Sequence, residues 1–158
     1  MVRIGITGHS NLTDSTSELV AEELRKILAR QTGSIVGVTC LARGADQVFA
    51  QVVLDCGGAI EAVLPAADYR ERKVEPDNAA DFDSLIEKAT VHTMPFAESN
   101  RDAYMAASER VLSIVDWMIA VWDGGPSGGH GGTADVVEVA KHRGVDVVIV
   151  WPERAARL

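Results

Sequence analysis

The sequence predicts an α/β fold, a three-layer sandwich in which helices cover both faces of a mostly parallel, doubly wound central sheet. Short apolar segments alternate about six times with segments of helical periodicity along the 158 residues. The apolar segments are continuous instead of alternating with polar residues, which is typical of strands buried on both faces. The length suits one hydrophobic core. We therefore expect a single domain spanning residues 1–158.

The elements follow in a regular order. Strands are predicted where short, β-branched, apolar runs end at glycine, proline or polar residues, at 2–7, 35–40, 60–64, 91–95, 117–122 and 145–151. Helices are predicted where apolar residues recur at helical spacing, at 15–33, 45–56, 79–89, 99–115 and 133–143. Ser15 and Glu18 have the spacing of a capping box, and Ser99 or Asn100 is expected to cap the helix at 99–115. Residues 66–78 are polar and predict a loop.

The net charge and the composition limit the kinds of partner that the chain is expected to bind. The net charge of −8 argues against a protein that grips the phosphate backbone, so no nucleic acid is expected, although a small anionic ligand is compatible with it. Cys40 and Cys56 have no metal-ligand spacing, and we predict neither a metal site nor a cofactor. No segment resembles a signal peptide or a membrane span, so the sequence favours a cytoplasmic protein without a membrane partner.

Glycine and unusual polar residues collect after the predicted strands. In parallel sheets ligands bind outside the carboxyl ends of the strands. Residues 123–133 have six glycines in eleven residues, which let a backbone approach a ligand and present free N–H groups at the next helix N-terminus. Asp123, Gly131, Gly132 and Thr133 are therefore candidates for a phosphate site. A flexible surface loop is the alternative, and neither a P-loop nor a dinucleotide fingerprint is present.

Two further segments have the same strand–glycine–helix order. After the second strand, Arg43 is suited to clamp a phosphate, Gly44 and Ala45 lead into the helix, and Asp46 suits the positive end of the helix dipole. After the first strand, three ligand-binding candidates follow in sequence: Gly8, His9 and Ser10. For His9 the alternative is a structural histidine, and for Asp46 a simple N-terminal charge. The charged residues 70–77 are interpreted as a lid or as a solvated loop.

These segments carry a family resemblance. Residues 4–9, 41–46, 64–65 with Tyr69, 119–124 and 131–134 resemble the SLOG superfamily, which includes the "Lonely guy" phosphoribohydrolases and the DNA-processing protein Smf/DprA. The arrangement at 120–124 and 132–134 is also similar to nucleoside deoxyribosyltransferases. The resemblance implies a Rossmann-like sheet, a nucleotide or nucleoside phosphate at Gly8, residues 43–46 and residues 131–133, and a homodimer.

The sequence departs from the hydrolase motif at one position. The phosphoribohydrolases have Gly-Gly-x-Gly-Thr-x-x-Glu, and here the residue three past Thr133 is Val136. Asp135 is one position early, which turns a helical side chain by about 100°, and Glu138 is two positions late. A binding loop without its carboxylate still binds but lacks the group that glycosidic cleavage needs.

We therefore predict a module that binds a nucleotide-like phosphorylated ligand, as a sensor or carrier, without standard phosphoribohydrolase chemistry. The alternative is an N-glycosidic hydrolase or transferase in which Asp135 or Glu138, or else Asp46 or Asp123, fills the carboxylate role. A third hypothesis is an interaction protein whose cleft is vestigial.

Overall fold

The computed structural model describes residues 1–127 and 132–158, and within them a six-stranded sheet is entirely parallel. The strands are β1 (Val2–Gly8), β2 (Ile35–Thr39), β3 (Ala59–Leu64), β4 (Ala89–Thr93), β5 (Trp117–Val121) and β6 (Val147–Val150). Their spatial order is β4-β3-β2-β1-β5-β6. The predicted α/β fold with a parallel, doubly wound sheet is confirmed.

Helices cover both faces of this sheet. They are α1 (Asp14–Ala29), α2 (Ala45–Asp55), α3 (Tyr69–Lys73), α4 (Ala79–Glu87), α5 (Arg101–Ile114) and α6 (Thr133–His142). Helices α1, α2 and α4 pack side by side on one face, and α5 packs beside α6 on the other. The chain therefore winds outward from β1 to β4, returns through α5 to β5 beside β1, and winds outward again to β6.

Each face has its own apolar cluster. Phe49 of α2 is fully buried against the first face, and burial of a side chain of this size contributes about 2–3 kcal/mol. Val111 of α5 and Met118 of β5 belong to the cluster under the second face. Because both faces of the central strands are covered, those strands can be apolar throughout, as the sequence pattern indicated. At the sheet edges, Val91 of β4 and Ile149 of β6 are exposed.

The predicted capping box at Ser15 is wrong. The N-cap of α1 is Thr13, whose side-chain hydroxyl accepts the Thr16 N–H at 3.2 Å. The helix ends at Ala29, four residues before Gly33. Thr13 is the N-cap residue because its hydroxyl lies 2.7 Å from the hydroxyl of the buried Thr16, and the two form one polar cluster. Asn100 caps α5 as expected, accepting the Ala103 N–H at 2.8 Å.

The predicted loop at 66–78 contains helix α3. Tyr69, at its start, is buried and packs against Phe82 with ring centroids 6.1 Å apart. This tertiary contact fixes a short helix that local polarity does not reveal. The other predicted elements are present, and their ends coincide with the predicted ones or are shifted by one or two residues, the usual uncertainty of a boundary read from sequence. No helix in the described ranges is both long and apolar enough to cross a bilayer.

Candidate functional site

The candidate site lies where the winding reverses. From β1 the chain passes to β2 on one side, while β5 lies on the other side, so the connections leaving β1 and β5 diverge at the carboxyl edge of the sheet. A cavity of about 440 Å³ opens at this point, within the ~300–1,000 Å³ range of small-molecule sites. Residues from the ends of β1, β2, β3 and β5 and from α3, α5 and α6 line it.

Gly8 and Gly44 bring the first two loops into contact. A Cβ on Gly8 would lie 2.5 Å from the Cβ of Ala45, and one on Gly44 would lie 2.6 Å from the carbonyl oxygen of His9. Gly44 also has φ +82°, which favours glycine. The Ala45 N–H then donates to the His9 carbonyl at 3.1 Å. These two glycines therefore serve close backbone packing, and Gly8 and Ser10 also line the cavity.

His9 joins the β1 loop to the β5 loop. Its side chain is 7% exposed, and its Nε2 accepts the Asp123 N–H at 3.1 Å. The imidazole packs edge-on against Trp151 at 5.6 Å between ring centroids. Burial, followed by the positive charge of Arg157, lowers the pKa of His9. The neutral imidazole therefore forms this bond, although Nε2 also lies 3.1 Å from the carboxylate of Asp123.

Asp46 is a buried carboxyl group on the cavity wall. It is 6% exposed, and its Oδ2 accepts the N–H groups of Cys40 at 3.2 Å and Ala42 at 3.4 Å. Burial raises the pKa of Asp46 to about 7, and these hydrogen bonds oppose the rise without cancelling it. Burial and the nearby Asp46 also raise the pKa of the Cys40 thiol. Asp46 therefore shapes the turn after β2 and still reaches the cavity surface.

Arg43 lines the cavity on the side of the β2 loop. Its guanidinium forms an ion pair with Asp77, and both side chains are about half exposed. Arg43, the predicted phosphate contact, therefore borders the cavity, but its guanidinium is already paired with the Asp77 carboxylate, which is not part of the cavity lining.

The β5–α6 corner supplies the opposite wall. Asp123 accepts the Gly125 N–H at 2.9 Å, and this bond, together with His9 and Arg157, lowers the pKa of Asp123. Gly132 occupies the N-cap position of α6, and Thr133 and Ala134 follow it on the cavity wall. Gly132 has no side chain to accept the first N–H groups of the helix. Gly131 lies outside the described residues.

The structure keeps two of the carboxylates proposed for catalysis, Asp135 and Glu138, out of the cavity lining. Val136, at the motif's glutamate position, is 1% exposed and belongs to the apolar cluster beneath α5 and α6. Asp135 is half-buried and accepts the Ser127 hydroxyl at 3.2 Å. Glu138 is exposed and pairs with His142 at 3.8 Å. Neither Asp135 nor Glu138 is among the described residues that line the cavity.

Sequence reasoning did not find all of the cavity residues. Lys73 lines the cavity, with its Nζ 5.8 Å from the ring centroid of Tyr104. Tyr69 meets Tyr104 edge-on at 6.4 Å, and Ser108 of α5 lies on the same wall. Arg157 reaches the cavity from the segment after β6. The charged segment 70–77 was the one sequence feature that indicated a position near the cavity for Lys73. No feature of the sequence around Arg157 predicted that it lines the cavity.

The segment interpreted as a lid or a solvated loop is anchored. Arg70 donates from Nε and Nη2 to the two carboxylate oxygens of Asp83, each at 2.7 Å. The short helix therefore rests on α4, with Tyr69 inward and Lys73 toward the cavity. Among residues 1–127 and 132–158, no three His, Cys, Asp or Glu side chains are arranged to hold a metal ion.

Comparisons with known proteins agree at the level of the fold. No protein-family model and no curated protein sequence matches the chain. Among solved structures, the chain is similar to DNA processing protein A (DprA) from Streptococcus pneumoniae, with 16% identity and a TM-score of 0.72 over 96% of this chain. It spans 51% of that protein.

Two other solved structures give the same result. DprA from Helicobacter pylori, whose structure describes a single-stranded DNA binding mode, has 13% identity and a TM-score of 0.68 over 96% of this chain and 66% of its own. The Moco carrier protein of Chlamydomonas rheinhardtii has 15% identity and a TM-score of 0.53, over 94% of this chain and 74% of its own. The chain therefore shares the Rossmann-like α/β fold of these three proteins.

Proposed function

We propose that this chain binds a nucleotide or nucleotide-derived phosphorylated ligand in the cavity at the strand ends, as a sensor or carrier without standard phosphoribohydrolase chemistry. One observation carries the proposal. Three cationic side chains, Arg43, Lys73 and Arg157, meet at one cavity in a chain whose net charge is −8. A local concentration of positive charge against the overall sign favours an anionic ligand.

The charge within the cavity supports the same interpretation. Asp46 is the single carboxyl group among the described lining residues, and its pKa of about 7 leaves it partly protonated at neutral pH. The N-terminus of α6, at Gly132 and Thr133, adds N–H groups and the positive end of the helix dipole. A phosphate is the small anion that such a combination accommodates well.

The other end of the cavity suits a flat, partly apolar group. Tyr104, with Pro65 and Tyr69, forms this end, opposite the β5–α6 corner. A nucleotide pairs an anionic phosphate with an aromatic base, so its two ends match the two ends of the cavity. Aromatic walls contribute to binding through stacking and edge contacts.

A second candidate function is hydrolysis or transfer at an N-glycosidic bond. Asp46 favours it, because a carboxyl group with a pKa near 7 on the cavity wall is matched to proton transfer at neutral pH. The burial of Val136 in an apolar cluster argues against the standard motif chemistry. We therefore assign binding as the primary function and expect the bound nucleotide to remain intact.

A thermal-shift screen against AMP, GMP, CMP, UMP, ADP-ribose and NAD tests both candidates, with chromatography of each mixture after incubation. Stabilisation with intact nucleotide supports a binder, because selective binding to the folded state raises its apparent stability. Release of free base would support the enzyme instead, and Asp46→Asn should then abolish that release. No stabilisation by any compound would contradict both.

Single-stranded DNA is a necessary comparison in the same screen. We expect an oligonucleotide to give no stabilisation beyond that of its mononucleotides, because the chain is acidic overall. The homodimer implied by the resemblance stays a prediction, and light scattering of the purified chain tests it.

A further inference from the structure

Residues 152–158 form a strap that folds back over the loop between β1 and α1. The Ala156 N–H donates to the Thr16 hydroxyl at 2.8 Å, and the Leu158 N–H donates to the Asn11 carbonyl at 2.7 Å. In the opposite direction, the Thr13 N–H donates to the Ala156 carbonyl at 3.3 Å, and the Asn11 amide donates to the Leu158 carbonyl at 3.1 Å. The strap is therefore docked by bonds that do not involve the Arg157 side chain.

Those bonds direct the Arg157 side chain into the cleft. Its Nε donates to the Asn11 Oδ1 at 2.9 Å, which fixes the plane of the guanidinium. Its Nη1 lies 3.4 Å from one oxygen of Asp123, a single long contact. The Nη2 group has no hydrogen-bond partner in residues 1–127 and 132–158, and Arg157 is among the residues that line the cavity. A guanidinium has five N–H donors, of which the described residues engage two.

The other two cations are placed differently. Arg43 forms a close ion pair with Asp77. Lys73 lies over the ring of Tyr104, at the aromatic end of the cavity. Arg157 instead lies beside Asp123, at the end of the cavity where β5 leads toward α6. Arg157 is therefore the cation that combines a fixed orientation with N–H donors that the described residues do not use, at the end of the cavity where we place the phosphate.

We propose that Arg157 is the main contact for the anionic group of the ligand, and that docking of the strap 152–158 and binding of the ligand are therefore coupled. This inference rests on the proposed function. Because the strap delivers Arg157, a bound phosphate ties the strap to the cavity, and an undocked strap removes the contact. Linkage of this kind is reciprocal, so the ligand stabilises the strap by as much as the docked strap strengthens binding.

Arg157→Gln tests the contact, and Arg154→Gln, on the same strap and exposed to solvent, is its matched control. Each variant and the wild type are titrated with AMP, GMP, CMP and UMP by calorimetry. We expect Arg157→Gln to weaken the best-bound mononucleotide by about tenfold or more, since a hydrogen bond to a charged group contributes roughly 1.5–3 kcal/mol. Arg154→Gln should bind like the wild type. Equal affinity of Arg157→Gln and the wild type would overturn the inference.

Hydrogen exchange of the same proteins distinguishes a contact between Arg157 and the ligand from a role of Arg157 in docking the strap. Without ligand, the amides of Ala156 and Leu158 should be equally protected in Arg157→Gln and in the wild type, because their acceptors are unchanged. With AMP at saturation, protection should rise in the wild type and not in the variant. If AMP did not raise protection in the wild type, the proposed coupling between the strap and the ligand would be refuted. If the wild type bound no mononucleotide, the proposed function itself would fail.

Discussion

The two glycine-containing corners at the carboxyl edge look alike in sequence but differ in what their backbone groups do. In the corner after β2, Gly44 packs against the His9 carbonyl, and the Asp46 carboxylate accepts two N–H groups of its own turn. In the corner after β5, a Cβ added to Gly124 would meet no atom of the described residues within 4 Å beyond its chain neighbours. Gly132 of the same corner opens α6 on the cavity wall.

A glycine between a strand and a helix can therefore serve two separate purposes. At the β2 corner it allows two backbones to touch, and the Ala45 N–H and the Asp46 carboxyl group are bonded within the corner while Arg43 extends outward. At the β5 corner, Gly124 packs against no other segment of the described residues, and Gly132 begins α6 on the cavity wall. The first corner supports the site, and the second is the one where we place the phosphate.

The strongest test of this comparison is to measure the stability of Gly44→Ala and of Gly124→Ala. Both glycines have positive φ, +82° and +84°, so both variants carry backbone strain, which is about 1–2 kcal/mol for a left-handed helical residue. Gly44, with ψ −124°, lies outside that region, so its variant carries the larger strain. Only at Gly44 does the added methyl also meet a backbone oxygen. We expect Gly44→Ala to lower the free energy of unfolding by about 3–5 kcal/mol and Gly124→Ala by about 1. Urea unfolding measures both, and equal losses would show that the β2 corner is not tightly packed.

Asp46→Asn tests whether the β2 corner holds a buried carboxyl group. The pKa of Asp46 is raised from 3.8 to about 7, so the folded protein holds this proton more tightly than the unfolded chain. That contribution is fully present below about pH 4 and is lost as the pH rises through about 7. The wild type should therefore lose about 2–4 kcal/mol relative to Asp46→Asn between about pH 4 and pH 8.

Urea unfolding across this pH range measures that difference. Asp135→Asn, at a half-buried carboxylate away from the cavity lining, is the control and should track the wild type. A constant difference between the wild type and Asp46→Asn would mean that Asp46 does not titrate in this range.

Gly132→Val sharpens the assignment of the β5 corner. Gly132 has φ −72° and ψ 172°, which any residue adopts, so the fold should be retained. The added side chain would stand beside the first N–H groups of α6. We expect mononucleotide affinity to fall by about 30-fold, or about 2 kcal/mol, with an unchanged circular dichroism spectrum. Unchanged affinity would remove this corner from the site.

Asp77→Asn probes the one outward group of the β2 corner and should have the smallest effect. Removing the carboxylate releases Arg43 from its ion pair. Exposed pairs contribute about 0–1 kcal/mol, so we expect mononucleotide binding to tighten by up to about fivefold. Asp81→Asn, on the first turn of α4, changes the net charge equally and serves as the control. Equal tightening in both variants would indicate a general charge effect instead of a released Arg43.

Much of the architecture follows from local sequence. The continuous apolar strands and the helical periodicity predicted the order of elements and the two-sided cover of the sheet, because burial on both faces requires that composition. The edge that carries the site was also predictable, since the carboxyl ends of parallel strands share one edge. Thr13, in contrast, could not be told from Ser15 as a cap, because the choice depends on which hydroxyl is buried with Thr16.

The sequence by itself determined the fold class, the carboxyl edge as the place of the cleft and the loss of the motif glutamate at Val136. Only the tertiary structure decided which polar groups face the cavity. It buried Asp46 in its own turn, paired Arg43 with Asp77, and placed Arg157 beside Asp123, a residue 34 positions earlier in the chain. The physical reason is that local patterns report burial and backbone preference, whereas a binding surface depends on which distant segments the packed core brings together.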